Sequence, residues 1–142
     1  MAKAVLPRVH TLLLCDHLEP APGEEGVYNL FGVRTKIEAS TFPHVHPQLY
    51  VYLQVTGHAG QFSGSVVGVS ARTDEALFQK ATPPLTLVDP LTFVPVVVPI
   101  QDCEFPEPGI YYFQVFFGQK LVYERPLHLI ESRETTDGQQ RA

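Results

Sequence analysis

Cys15, Asp16 and His17 are consecutive and form the densest group of potential metal ligands in the sequence, with His58 as a further candidate. Zinc binds thiolate, carboxylate and imidazole groups, but it needs three or four of them converging at about 2.0–2.3 Å. Because successive residues of a strand point to opposite faces, adjacency does not bring these side chains together. The simpler interpretation packs Cys15 in the core, lets Asp16 cap the following loop and leaves His17 in solvent. It predicts no metal and no other cofactor.

His44 and His46 form a second group that could do chemistry. Their spacing places both imidazoles on one side of an extended segment. No glutamate or third histidine lies nearby in sequence, and we interpret the segment as a loop. Each antiparallel crossing carries the chain to the opposite pole of a sandwich, so counting strands places Cys15 and His58 at one pole and these two histidines at the other.

Catalysis by Cys15 or Cys103 would require a base or a helix N-terminus that stabilises the thiolate. The sequence has no window of helical periodicity and no glycine-framed nucleophile turn. Six glutamates are candidates for a general acid, but none lies in an apolar setting that would raise its pKa: Glu19, Glu24, Glu25, Glu38, Glu104 and Glu107. The sequence therefore predicts a protein that is not an enzyme. The alternative is a small metal-dependent enzyme or sensor centred on Cys15, Asp16 and His17.

Strands must position all of these side chains, because alternation of apolar and polar residues recurs along the whole chain. Pro106, Pro108 and Gly109 force a tight turn, and the clearest alternating run follows it. We predict an all-β fold, a single antiparallel β-sandwich of about eight strands formed by residues 1–131, with a disordered polar tail at 132–142. The predicted strands are 8–15, 27–38, 49–55, 62–71, 76–80, 93–100, 110–117 and 121–130, and residues 81–90 are predicted to be a connection.

Composition narrows the class of protein further. The chain has 142 residues, a formal net charge of −5 and no basic cluster, which argues against binding to a nucleic-acid backbone. No apolar run approaches the roughly 18 residues of a membrane span, and the N-terminus lacks the order of a signal peptide, so we predict a cytoplasmic protein without a membrane partner. The two cysteines are expected to be free, buried thiols.

Turn spacing and the position of Tyr111, where a tyrosine-corner residue would lie, resemble an immunoglobulin-like sandwich. Four short motifs give a closer resemblance, to a family of small uncharacterised bacterial β-sandwich proteins. They are L-L-C-D at 13–16, N-L-F-G-V at 29–33, F-P with H-P within 42–47, and F-P-E-P-G at 105–109. That family has no assigned activity, so the resemblance implies no catalytic residue.

The sharpest functional hypothesis concerns the outer faces of the third and seventh predicted strands. If these strands are neighbours in one sheet, their outward side chains form one aromatic patch: Tyr50, Tyr52, Gln54, Tyr112, Gln114 and Phe116. Such a patch is typical of a protein interface, and it predicts a binding or assembly module whose partner is another protein or a second copy in a homodimer. Two alternatives remain: residues 81–90 cover the patch, or Tyr50, Tyr52 and Tyr112 stack on a carbohydrate.

Overall fold

The computed structural model describes residues 5–132, and these residues form eleven strands and no helix. The all-β fold is therefore confirmed, whereas the predicted number of about eight strands is wrong. The strands are β1 (Arg8–Pro20), β2 (Tyr28–Val33), β3 (Lys36–Ala39), β4 (His44–Thr56), β5 (Gly60–Phe62), β6 (Gly64–Ser70), β7 (Ala76–Ala81), β8 (Leu85–Leu87), β9 (Val94–Phe105), β10 (Gly109–Phe117) and β11 (Lys120–Glu131).

Two larger sheets form the sandwich, with strand orders β2-β1-β4-β9 in sheet A and β3-β11-β10-β6-β7 in sheet B. The core lies between them, and alternation determines which residues enter it. On β4 the residues with fully buried side chains are Leu49, Val51, Leu53 and Val55, all at 0% exposure. On β10 they are Tyr111, Phe113, Val115 and Phe117, at 0–2% exposure. Both core faces predicted from the alternation are confirmed.

The predicted strand 27–38 is two strands that lie in different sheets. β2 pairs with β1 in sheet A, the chain leaves this sheet at Arg34 and Thr35, and β3 then runs parallel to β11 in sheet B. Sheet B is therefore mixed, and the prediction of a wholly antiparallel fold is wrong because the chain changes sheets without a hairpin.

Gly32 has a φ of +68°, a conformation that interrupts regular pairing just before the crossing. Apolar residues continue at odd positions across this break, but Phe31 and Val33 of β2 are about half exposed, whereas Ile37 and Ala39 of β3 are buried. The apolar pattern therefore does not reveal that the chain changes sheets.

Residues 81–90 are not only a connection, since Leu85–Leu87 form β8 and pair with β5 in a two-stranded sheet. The amide of Thr82 donates to the carbonyl of Gly64, which joins this pair to the β6–β7 hairpin. Leu85 and Leu87 are 3% and 2% exposed and belong to the core. The segment thus forms the far end of a bent hairpin that covers part of the sandwich interior.

The prediction that the third and seventh strands are hydrogen-bonded neighbours is wrong. The corresponding strands are β4 in sheet A and β10 in sheet B, and β10 pairs with β6 and β11 instead. Tyr50, Tyr52 and Gln54 therefore lie on the outer face of one sheet, and Tyr112, Gln114 and Phe116 lie on the outer face of the other. The predicted continuous patch is divided between opposite sides of the molecule, because alternation identifies an outer face without saying which sheet carries it.

Tyr111 forms the corner that its sequence position predicted. Its hydroxyl donates to the carbonyl of Glu107 at 2.6 Å and accepts from the amide of the same residue at 3.3 Å. The phenol ring is 1% exposed and packs edge-on against Phe105 at 5.1 Å between ring centroids. This contact fixes the connection between β9 and β10, where the chain crosses from sheet A to sheet B.

The predicted tail 132–142 lies outside the described residues except for Ser132, whose amide donates to the carbonyl of Ala39 at 2.9 Å. Within residues 5–132, no helix is long and apolar enough to span a membrane.

Candidate functional site

Asp16, Arg34 and His46 form a polar cluster at the pole of the sandwich where β4 begins, and we call it the Asp16 cluster. Arg34 donates from Nε to both oxygens of Asp16 at 3.0 Å and from Nη2 to Oδ2 at 2.6 Å. His46 Nε2 lies 2.9 Å from Asp16 Oδ1, and since an ionised carboxylate only accepts, the imidazole donates this hydrogen bond. These hydrogen bonds, the strongest from Arg34, hold the pKa of Asp16 below its ordinary value.

Gly32 is required for this arrangement for two reasons. Its left-handed φ is one that residues with a Cβ rarely adopt, and a Cβ there would lie 2.9 Å from Asp16 Oδ2. Arg34 is held in place through its amide, which donates to the carbonyl of Leu14 at 2.7 Å. The Asp16 cluster therefore ties the segment that crosses between the sheets to β1 and β4.

His44 lies beside the Asp16 cluster, with its ring 5.7 Å from that of His46. Its Nε2 atom is buried and has no hydrogen-bond partner among residues 5–132. Burial first, and the neighbouring His46 second, lower the pKa of His44 below its ordinary value. Folding thus favours the neutral form of His44.

The lowered pKa of His44 predicts a specific dependence of stability on pH. The unfolded chain, in which this imidazole titrates near pH 6.5, binds the proton more readily than the folded chain, so stability contributed by neutral His44 is lost as the pH falls below about 6.5. His44→Gln is expected to reduce the loss of stability between pH 7 and pH 5, measured by urea unfolding, while His128→Gln at an exposed position leaves that loss unchanged. An identical loss in wild type and His44→Gln would contradict the prediction.

The Asp16 cluster contains part of a catalytic arrangement, because a carboxylate that orients an imidazole is the base portion of a nucleophilic triad. Cys103 pairs with His46 across β4 and β9 and so points to the same face. However, no hydrogen bond joins the two side chains, and burial raises the pKa of the Cys103 thiol to about 12, the opposite of an activated nucleophile. The Asp16 cluster is therefore not joined to an activated cysteine nucleophile.

The structure separates the residues that were considered as metal ligands. Cys15 is fully buried and free, and it pairs with Tyr50 and Val33, whereas the neighbouring Asp16 points to the other side of β1. His17 is exposed and contacts Glu19 at 3.1 Å. Across residues 5–132, no group of three or more histidine, cysteine, aspartate or glutamate side chains is placed to hold a metal ion.

His58 lies at the opposite pole from Cys15 and Asp16, so the predicted sharing of a pole is wrong. It borders an open groove of about 670 Å³ whose cationic rim includes Arg8 and Lys120. His44 and His46 instead share the pole of Asp16. The prediction from counting strands was wrong because β2 does not run the full length of the sandwich. β2 ends at Val33, opposite Cys15, and the chain then changes sheets.

The exposed rings of His17 and Phe31 and the half-buried ring of Tyr50 form an aromatic row on the outer face of sheet A. The ring of His17 stacks on Phe31 with 5.7 Å between centroids and meets Tyr50 edge-on at 6.4 Å. Phe31 is 49% exposed. Tyr52, by contrast, is only 8% exposed and packs near Tyr28 at 6.0 Å between centroids. Tyr50 is therefore the predicted patch residue that joins an exposed aromatic surface on sheet A.

Sequence reasoning missed Arg34 and Phe31. Arg34 lies within the predicted strand 27–38, and an arginine in a strand is normally expected to point to solvent. Phe31 lies inside an apolar run of a predicted strand, where an apolar residue is expected to be buried. The position of β2 at the edge of sheet A, which exposes Phe31, is not encoded in any local spacing.

Comparisons with known proteins concern the fold and the family. The alkylpurine DNA glycosylase AlkC of Pseudomonas fluorescens, bound to DNA containing an abasic site analog, matches with a TM-score of 0.52 and 10% identity over 87% of this chain and 30% of that chain. A β-glucosidase from Listeria innocua in complex with glucose matches with a TM-score of 0.49 and 10% identity over 91% of this chain and 16% of that chain.

At 10% identity the likeness to the glycosylase extends to the fold alone. The present chain spans less than a third of the length of either protein. No curated protein matches the chain. A family model does match, over residues 10–130, and this range includes the four motifs that suggested an uncharacterised β-sandwich family. The protein belongs to the DUF6941 family of unknown function.

Proposed function

We propose that the protein is a non-catalytic binding or assembly module that contacts its partner through the aromatic row of sheet A. The observation that carries this proposal is the exposure of Phe31. Its ring stacks on His17, yet the residue is 49% exposed to solvent. Aromatic rings supply large contact area at a small cost in side-chain entropy, which is why they are enriched at protein interfaces. Val33, two residues further along β2, is 50% exposed and extends the apolar surface.

The polar and metal chemistry considered above supports this class of function over an enzyme. The imidazole and carboxylate of the Asp16 cluster satisfy each other, and Cys103 carries a raised pKa. A carbohydrate platform of Tyr50, Tyr52 and Tyr112 is not supported, because Tyr112 lies on the other sheet and Tyr52 is nearly buried. The proposal includes a cytoplasmic location, which the two free thiols favour.

The proposal includes an immunoglobulin-like plan for the sandwich. Its support is the tyrosine corner at Tyr111, together with the placement of β10 between β6 and β11 in one sheet while β4 and β9 are neighbours in the other. The fold class carries no function by itself, so the binding surface must be tested directly.

Partner retention in the native host provides this test. The full chain is purified with its bound proteins as wild type, as Phe31→Ser and as the control Val88→Ser, which alters a 61% exposed apolar residue away from the aromatic row. We expect one protein, identified by mass spectrometry at constant stoichiometry, to remain with wild type and control and to be lost with Phe31→Ser. Equal retention by all three chains, or a bound metal with no protein partner, would contradict the proposed function.

A further inference from the structure

The open groove of about 670 Å³ lies at the end of the sandwich where β4 ends and where β1 and β11 begin, and we call it the Arg8 groove. Both sheets have uncovered edges at this end. β2 pairs with β1 only from Cys15 onwards, and β3 pairs with β11 only from His128 onwards. Val9 of β1 and Val122 of β11 line the groove, one from each sheet. The groove thus opens between two strand edges that no other strand covers within residues 5–132.

The apolar part of the lining has the size and accessibility that a small molecule needs. Leu6, Val9 and Val122 belong to the core cluster or pack against it, so this part of the wall is fixed. Leu121 is 41% exposed and offers apolar surface that the fold itself does not use. Grooves of about 300–1,000 Å³ with apolar walls and a few polar groups are typical of small-molecule sites.

The charged side chains that line the Arg8 groove all have the same sign. They are Arg8 and Lys120, with the imidazoles of His10 and His58 beside them, and no aspartate or glutamate of the described chain lines the groove. Neither Arg8 nor Lys120 makes an ion pair within residues 5–132. A cleft lined by charges of one sign focuses the electrostatic field and attracts ions of the opposite sign. In a chain with a net charge of −5, the groove is therefore a local site for an anion.

Asp89, which directly precedes the lining residue Pro90, does not offset this charge inside the groove. Its carboxylate accepts hydrogen bonds from the amides of Leu91 and Thr92 at 2.8 and 2.9 Å. The carboxylate is thus engaged within its own turn, and the cations of the groove remain available to a ligand.

We propose that the Arg8 groove binds a small organic carboxylate with an apolar body. The guanidinium of Arg8 offers two parallel N–H donors that match the two oxygens of a carboxylate, and Lys120 adds a second positive charge. The apolar body then lies against Val9, Leu121 and Val122. No residue of the aromatic row lines the groove, so this site is additional to the proposed function and independent of it.

Isothermal titration calorimetry of the full chain with octanoate tests the head of the ligand. Octanoate is expected to bind saturably, one molecule per chain, and octylammonium, with the same body and the opposite charge, at least about tenfold more weakly. Arg8→Gln is expected to weaken octanoate binding about three- to tenfold. Lys80→Gln is the matched control, because Lys80 is exposed on β7, at the other edge of sheet B, and is expected to leave binding unchanged.

Leu121→Ser tests the body of the ligand. It is expected to weaken octanoate and octylammonium by the same factor, because it removes a contact with the alkyl chain and none with the head. Far-ultraviolet circular dichroism of each variant confirms that the fold is retained. Lys120→Gln provides a second variant of the head contact and is expected to weaken octanoate binding alone.

Three results would overturn the site: no saturable binding of octanoate, equal binding of octylammonium, or equal effects of Arg8→Gln and Lys80→Gln. Tighter binding of octyl phosphate than of octanoate would overturn the carboxylate as the head group. Phe31→Ser, which tests the proposed function, is expected to leave octanoate binding unchanged. The loss of a protein partner and the loss of octanoate binding can therefore be told apart.

Discussion

Replacing Asp16 with alanine is expected to lower the free energy of unfolding by about 2–4 kcal/mol, because it removes the acceptor of both Arg34 and His46. The guanidinium and the imidazole then remain in a partly buried site without their counterion. Their side chains are 36% and 11% exposed, so solvent compensates Arg34 in part and His46 very little. Asp16→Asn, which keeps the volume and one carbonyl acceptor, is expected to cost less than Asp16→Ala. Urea unfolding followed by tyrosine fluorescence measures both.

Arg72 provides a matched control for the Asp16 cluster. It also forms an ion pair with a carboxylate at 2.6 Å, to Glu107, but its side chain is 71% exposed. Arg72→Ala is expected to change stability very little, because solvent screens an exposed ion pair, whereas Arg34→Ala should cost several times more. Similar losses for the two variants would show that the Asp16 cluster is no stronger than a surface ion pair.

The lowered pKa of Asp16 gives this result a pH dependence. A carboxylate whose pKa is depressed by folding contributes stability above its unfolded pKa of about 3.9, and that contribution is lost as the pH falls through the folded value. The difference in stability between wild type and Asp16→Asn should therefore be constant above about pH 5 and shrink below about pH 4. A difference that persists unchanged into strong acid would assign the effect to packing instead.

Phe113→Ala is expected to cost about 3–5 kcal/mol, the largest effect of any substitution considered. Phe113 is 0% exposed at the centre of β10, and its ring packs 5.5 Å from that of Phe78. Truncation removes the transfer free energy of the ring and leaves a cavity that the surrounding strands cannot fill without losing their register. In a domain of this length such a loss lowers the midpoint of thermal unfolding by roughly 10–17 °C, which calorimetry measures directly.

Phe31→Ala removes the same atoms from a position that is 49% exposed and is the control for Phe113→Ala. Its expected cost is below about 1 kcal/mol when the chain is dilute and monomeric. Comparable losses at the two positions would mean that Phe31 is covered under those conditions. Repeating the measurement across protein concentrations then separates burial by a second copy from burial within one chain.

The sequence alone determined the class of fold and the composition of its core. Period-two alternation is a direct record of which side chains face the interior, so Leu49, Val51, Phe113 and Val115 were identifiable without coordinates. The corner at Tyr111 could also be predicted from a short stretch of sequence, because the proline-glycine turn and the tyrosine that closes it lie within a few residues. The free state of both cysteines and the family of the chain also followed from residues and short motifs.

Only the tertiary structure decided which strands are neighbours, and with them the candidate site and the binding surface. Asp16 and His46 are 30 residues apart and meet because β1 and β4 pair, and Arg34 reaches them because the chain changes sheets immediately after β2. Likewise, Phe31 is exposed because β2 is an edge strand, a property of strand order and not of the strand itself. Strands of both sheets show the same alternation, since each buries one face in the same core, and the pattern therefore carries no information about the sheet to which a strand belongs.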